Sequence, residues 1–126
     1  MTKNFTLKSG TNKGQRRIWI EGSRLIEAGL TCGTILYRSD DSRGDMVLST
    51  YEVESTATVT ARGKHKVAGK PDRPIIDLCG KWVTAFMNYR GDHTHFSVTV
   101  IQYDGYQSDG DIDPLRIALL IRPTNA

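Results

Sequence analysis

No stretch of this sequence approaches the ~18 consecutive apolar residues that a membrane-spanning helix requires. Its first residues, Met1-Thr2-Lys3-Asn4-Phe5, lack the apolar centre of a secretory signal. Cysteine is scarce: Cys32 and Cys79 are the only two in 126 residues. With no export signal, the expectation is two reduced thiols in a cytoplasmic protein, Cys32 in a turn and Cys79 just ahead of a helix, with no disulfide between them. Catalytic signatures are missing too. There is no dinucleotide glycine pattern and no Ser/His/Asp or Cys/His arrangement in a recognisable context. Gly10-Thr11-Asn12-Lys13-Gly14 has the glycines of a phosphate loop but not its Gly-Lys-Ser/Thr ending. These absences point away from an enzyme, a cofactor and a membrane.

What is present is enough for one domain over 1–126. The hydrophobic content of 38% is low, yet two Trp, three Phe and five Tyr argue for a packed core rather than disorder.

A short unit recurs 57 positions on. The first copy runs from Arg16 through Ile18, Gly22 and Arg24 to Gly29, and the second from Arg73 through Ile75, Gly80 and Lys81 to Phe86. Identity is confined to Arg16/Arg73, Ile18/Ile75 and Ala28/Ala85. Each copy has a cation, a β-rich run, a small residue at a turn, a second cation and about two turns of amphipathic helix. The expected organisation is repeat one over about 11–62, a basic linker at 63–71 and repeat two over about 72–123, a pseudo-symmetric chain.

The local patterns place the elements. Residues 1–15 read as a flexible arm with one short strand at Phe5–Lys8. Arg17–Glu21 reads as a strand with Ile18 and Ile20 on one face and Trp19 on the other. Ser23 is the expected N-cap of a helix over Arg24–Ala28, stopped by Gly29. Thr34–Tyr37 and Met46–Thr50 read as a hairpin, and Glu54–Arg62 as a half-exposed strand. In the second half, Ile75–Leu78 is an expected strand and Lys81–Met87 an expected helix, with Asn88 closing it. Thr94–Gln102 is an expected strand with Phe96, Val98 and Val100 on one face, residues 103–114 an acidic Gly-rich turn, and Ile117–Ile121 the closing strand. The sum is mostly β with two short helices, a βαββ unit twice.

Charge is uneven. Net charge is +3, but residues 1–38 carry +5, 39–61 carry −4, 62–81 carry +4 and 82–126 carry −2. The positive blocks coincide with the start of each repeat. Lys13, Arg16, Arg17 and Arg24 from the first copy, Arg73 and Lys81 from the second, and Lys64, Lys66 and Lys70 from the linker are therefore the candidate DNA-binding cations. A two-fold surface suits a duplex, arginine suits phosphate clamping and guanine readout, and lysines in a Gly-rich loop suit phosphate.

Other residues carry less. Trp19 and Trp82 invite base stacking, but core or barrel-plug packing is the better expectation. His93 and His95 have no third ligand at a sensible spacing, so a solvated pair is expected rather than metal. Asp104, Asp109, Asp111 and Asp113 do not follow the calcium-loop order, which favours a solvated turn or a contact with a basic protein.

Arg17-Ile18-Trp19-Ile20-Glu21-Gly22, followed by Arg24-Leu25, Ala28-Gly29-Leu30 and Gly33, resembles the AbrB/MazE-like (SpoVT-AbrB) swapped-hairpin DNA-binding family, in its SymE-like branch. Asn12-Lys13-Gly14 and Pro74-Ile75-Ile76-Asp77 also resemble small proteins encoded beside mobile-element cytosine-5 DNA methyltransferases. The likeness spans about 11–122. It implies a swapped-hairpin AbrB-like β-barrel formed by two βαββ repeats in one chain, acting as a DNA-binding transcriptional regulator of a phage or mobile element. The second helix departs from the pattern, with Phe86 where Gly29 stands. Two alternatives accompany this expectation: an adaptor or inhibitor acting on a methyltransferase, toxin or host defence complex, and a SymE-like RNase toxin. Pairing of two copies through the strand near 54–62 is a further expectation.

Overall fold

The computed structural model describes residues 2–89, 91–103, 107–108, 111–112 and 116–125. In chain order the strands and helices are β1 (Thr2–Lys8), β2 (Gly10–Asn12), β3 (Gln15–Glu21), α1 (Ser23–Ala28), β4 (Ile35–Asp41), β5 (Met46–Ser49), β6 (Val59–Lys66), β7 (Ala68–Lys70), β8 (Arg73–Cys79), α2 (Lys81–Met87), β9 (His95–Tyr103), β10 (Gln107–Ser108), β11 (Asp111–Ile112) and β12 (Arg116–Thr124). The chain is mostly β with two short helices. Asp104, Asp109 and Asp113 of the acidic turn lie outside the described residues.

The strands form a six-stranded sheet in the order β1-β9-β12-β5-β4-β6 and a four-stranded sheet in the order β2-β3-β8-β7, with β10 and β11 as a separate small pair. All pairings are antiparallel. The two large sheets are open and do not close into the expected barrel. Each ends on edge strands, so the architecture is two stacked layers.

Alternation builds the core. Ile18, Ile20, Ile76 and Leu78 from the smaller sheet are buried in one cluster with Leu36, Met46, Leu48, Phe96, Val98, Leu119 and Ile121 from the larger. Complete burial of each such side chain is worth about 1.5–3 kcal/mol. Helices of six and seven residues cannot stand alone in water. Both pack against β3 and β8, burying Leu25 and Ala28 from α1 and Val83 and Met87 from α2.

The internal repeat is present, but its phase is 58 rather than 57. Gly22 and Gly80 precede the helices, Ser23 and Lys81 open them, and Gln15 and Arg73 open the preceding strands. Ile18 thus corresponds to Ile76 and Ile20 to Leu78, all four buried, whereas Ile75 points out. The physical reason is the two-residue period of a strand: a slip of one exchanges the faces. Ser23 is not a cap. The chain enters α1 through Gly22 at φ 73, and Gly29 ends it at φ 88 as expected.

The repeats also begin earlier than the sequence suggested. The short strand expected at Phe5–Lys8 is present and extends back to Thr2 as β1, the rest of the expected flexible arm at 1–15 holds β2 and the start of β3, and the expected linker at 63–71 contains the end of β6 and all of β7. The pairs β1–β2 and β6–β7 correspond at the same 58-residue step. The half-exposed strand expected at 54–62 starts only at Val59. Each unit is therefore a two-strand edge arm, a strand, a helix and a hairpin.

The arms are exchanged between units. β1 of the first pairs with β9 of the second, and β6 of the second with β4 of the first. The register is equivalent: Leu7 faces Phe96, and His65 faces Leu36. Each arm crosses from one sheet to the other at a buried kink, Ser9 or Val67. Ser9 N–H donates to Thr94 O at 2.9 Å and Val67 N–H to Thr34 O at 2.8 Å, the same bond made twice.

Candidate nucleic-acid surface and the paired clefts

The nine candidate cations do not share one surface. Three are engaged in ion pairs. Arg16 donates to Ser9 Oγ at 2.8 Å and to Asp92 at 2.7 Å. Arg17 grips Asp77 with two bonds of 2.8 and 2.9 Å and lies 4.2 Å above the Trp19 ring. The Asp77 hydrogen bond raises the Arg17 pKa above its ordinary value. Arg73 pairs with Glu21 at 2.9 Å. Arg16 and Arg73 lie towards opposite ends of the β3–β8 pair, whose register sets Glu21 against Ile75. Seven positions of strand rise separate their levels, roughly 23 Å. The two repeat starts therefore point to opposite ends because β3 and β8 run antiparallel.

The remaining candidates are less constrained. Arg24 lies 4.4 Å above the Phe5 ring, and Lys81 is exposed at the start of α2. Lys13 occupies the β2–β3 turn, where it and Gly14 both have positive φ (53 and 81), as a two-residue hairpin turn of the primed type requires. Lys64 sits 5.6 Å from the Tyr37 ring on β6, beside exposed Lys66, and Lys70 ends β7. Sequence reasoning missed Lys8, the 58-step counterpart of Lys66. Among the described residues, Lys8, Lys13, Lys64, Lys66 and Lys70 have no ion-pair partner. All five lie on the exchanged arms or their turns. β1 and β6 are the outer strands of the six-stranded sheet, and five strand spacings set the two edges about 24 Å apart.

Of the two tryptophans, Trp19 departs from the expected core packing and Trp82 meets it. Trp19 is on the outer face of the smaller sheet beneath Arg17, not in a plug. Trp82 packs against the core while Arg38 lies 3.8 Å over its ring and His65 stacks at 5.5 Å. Burial, with help from the Arg38 charge, lowers the His65 pKa. His93 bonds Met87 O through Nδ1 at 2.9 Å and His95 bonds Thr94 Oγ1 at 2.7 Å. The described residues contain no group of three or more metal-ligating side chains. Cys32 and Cys79 are both free thiols.

Two clefts lie between a helix and the arm that crosses under it. The cleft beside α1 has a volume of 340 Å³ and is lined by Lys3, Phe5, Arg24, Glu27, Val100 and Gln102. Its lip is closed by Lys3–Glu27 at 3.1 Å. The cleft beside α2 has a volume of 520 Å³, and its lining includes Arg38, Asp40, Arg62, Trp82, Phe86 and Tyr89. Asp40 accepts from Arg38 at 2.9 Å and from Arg62 at 3.1 Å. Sequence reasoning did not single out Arg38, Asp40 or Arg62. Arg38 and Asp40 fall just past the strand expected at Thr34–Tyr37, and Arg62 ends the half-exposed strand expected at 54–62, so charge was the signal available.

Comparison of the chain with protein-family models, with curated proteins and with solved structures returns no match.

Proposed function

We propose that this chain binds double-stranded DNA through the two exchanged arms, as a regulator built on a swapped-hairpin pseudo-dimer of the AbrB-like kind. One observation carries the proposal. The lysines on the arms without acidic partners, Lys8, Lys13, Lys64, Lys66 and Lys70, occur on two edges related by the 58-residue repeat. Lysine heads at paired edges suit phosphate contact without base selection. Base readout falls to other groups, among which Lys81 and Arg24 are exposed. Arg16, Arg17 and Arg73 hold the scaffold, since withdrawing them would leave Asp92, Asp77 and Glu21 without their partners.

Lysine on a sheet edge also discourages strand-to-strand aggregation, and the experiment separates the two roles. Fluorescence anisotropy with a duplex should show binding at about 50 mM salt that weakens with a log–log slope of up to about −4 to −5 for five contacts. Replacing all five lysines with Gln should abolish binding while the protein stays monomeric. A five-fold variant that aggregates yet still binds DNA assigns the lysines to edge protection, and absence of duplex binding at low salt removes the proposal.

A further inference from the structure

The two clefts occupy equivalent places, so each is a control for the other. At the 58-residue step, Arg24 corresponds to Trp82, Glu27 to Ala85 and Phe5 to Gly63. The exchanged pairing sets Phe5 against Val98 and Gly63 against Arg38, so Val98 corresponds to Arg38. The β6–β4 register shifts just beyond, between Arg38 and Ser39, and it is the pairing with the hairpin partners, Val100 with Leu119 and Asp40 with Met46, that matches Val100 to Asp40. The first cleft thus has a valine floor, a phenylalanine beneath its helix and a salt bridge across its mouth. In the second, Gly63 and Ala85 stand in the places of Phe5 and Glu27, Trp82 in that of Arg24, and Arg38, Asp40 and Arg62 in those of Val98, Val100 and Asn4.

Packing does not demand that cluster, because the twin position is satisfied by Val98 and Val100, both buried. Side chains of Arg38 and Asp40 are only 14% and 28% exposed. Withdrawing charges from water at a site where apolar residues serve is a cost without a structural return. The cost makes sense if the cluster meets a ligand.

We propose that the α2 cleft binds a nucleotide, its base against Phe86 and Tyr89 beside the Trp82 ring that Arg38 covers, and its phosphate at Arg62. A volume of 520 Å³ falls within the range of small-ligand sites. Asp40 offers an acceptor for an exocyclic amine and Arg38 a donor for a ring oxygen or nitrogen. Arg62, 53% exposed at the rim, holds Asp40 through Nε alone, which leaves its terminal nitrogens for phosphate. The other carboxylates on the wall are already engaged: Asp41 accepts the backbone N–H groups of Arg43 and Asp45, and Asp45 holds Arg122 in two bonds. A cationic peptide would therefore meet two arginines and no unengaged carboxylate. Arg62 lies on β6 two positions from Lys64, so the site adjoins one lysine arm, while Trp82, Ala85 and Phe86 come from α2.

The test uses a Trp19→Phe background, so that Trp82 is the only indole. Titration with each of the common nucleoside monophosphates, and separately with a short single-stranded oligonucleotide, should change its emission. Ala85→Glu restores the side chain found in the twin cleft at an exposed helix position. It should weaken nucleotide binding at least tenfold with thermal stability unchanged, as should Arg62→Ala. Duplex binding by the arms should stay within twofold in Ala85→Glu, whose side chain lies on α2 and not on an arm. Tighter binding of the oligonucleotide than of any monophosphate, lost with Ala85→Glu, identifies an unpaired nucleotide in a strand as the source; the reverse order identifies a free nucleotide. Silence of Trp82 towards both ligands at millimolar concentration overturns the proposal. So does equal binding by wild type, Ala85→Glu and Arg62→Ala, or a response only to a basic peptide.

Discussion

The first cleft is the smaller, at 340 Å³, and carries one exposed salt bridge at its lip; its twin, at 520 Å³, holds a part-buried charged cluster, although one topology builds both. That contrast separates what the fold needs from what it tolerates. Where both units agree, as at Ile18 and Ile76 or Ile20 and Leu78, burial explains the residue. Where they diverge at equivalent positions, packing cannot be the explanation for both. Val98 and Arg38 sit at the same register on exchanged strands, yet only one follows from hydrophobic burial.

Three measurements would break or sharpen this comparison. The largest effect is expected in the shared core. Phe96 and Leu36 are twins, each buried against the exchanged arm. Phe96→Ala should cost about 3–5 kcal/mol and Leu36→Ala about 2–5 kcal/mol in urea unfolding. A loss at only one site would mean that the two arms are not equivalently docked.

A smaller effect is expected in the charged cleft. Asp40→Val leaves Arg38 and Arg62 facing each other without their shared acceptor, which should destabilise by about 1–3 kcal/mol. Adding Arg38→Val recreates the floor of the first cleft and should bring stability back to within about 1 kcal/mol of wild type. Failure of the double variant to recover would show that the cluster is structural after all.

The smallest effect is a pH dependence confined to one unit, since the counterpart of His65 is Leu7. Burial and Arg38 lower the folded His65 pKa from its ordinary value of 6.5. The unfolded chain therefore takes up this proton first. Stability from this group is intact above about pH 6.5, falls as the pH drops into the window beneath, and levels off once folded His65 is itself protonated. His65→Phe should flatten that slope in urea midpoints taken between about pH 7.5 and pH 5. An unchanged slope would place the titration elsewhere.

Much of the local structure was legible. Strict alternation in Thr94–Gln102 marked β9, and the Val83/Met87 spacing marked α2 to the residue. Gly29 announced the end of α1. The edge strands were legible only in part: Phe5–Lys8 lies in β1 and 54–62 overlaps β6, but β2 and β7 were missed because they are exposed throughout and show no apolar alternation. A polar edge strand and a polar loop look alike until a partner is known. The repeat was found one residue out of phase because identities at Arg16/Arg73 and Ile18/Ile75 outweighed burial, which a sequence does not display. For the site, charge pointed to the arginines, yet Arg16, Arg17 and Arg73 proved to be engaged by acids from 52 to 76 positions away.

From its sequence alone this chain was committed to β-rich units with short glycine-bounded helices, because residue type and period fix which face of each element is apolar. Folding in three dimensions decided that the arms would be exchanged, that β3 and β8 would oppose the two repeat starts, and that one cleft would be apolar-floored while its twin gathered a charged cluster. Those outcomes depend on which distant groups meet, and pairing energies between separated segments leave no mark in any single stretch of chain.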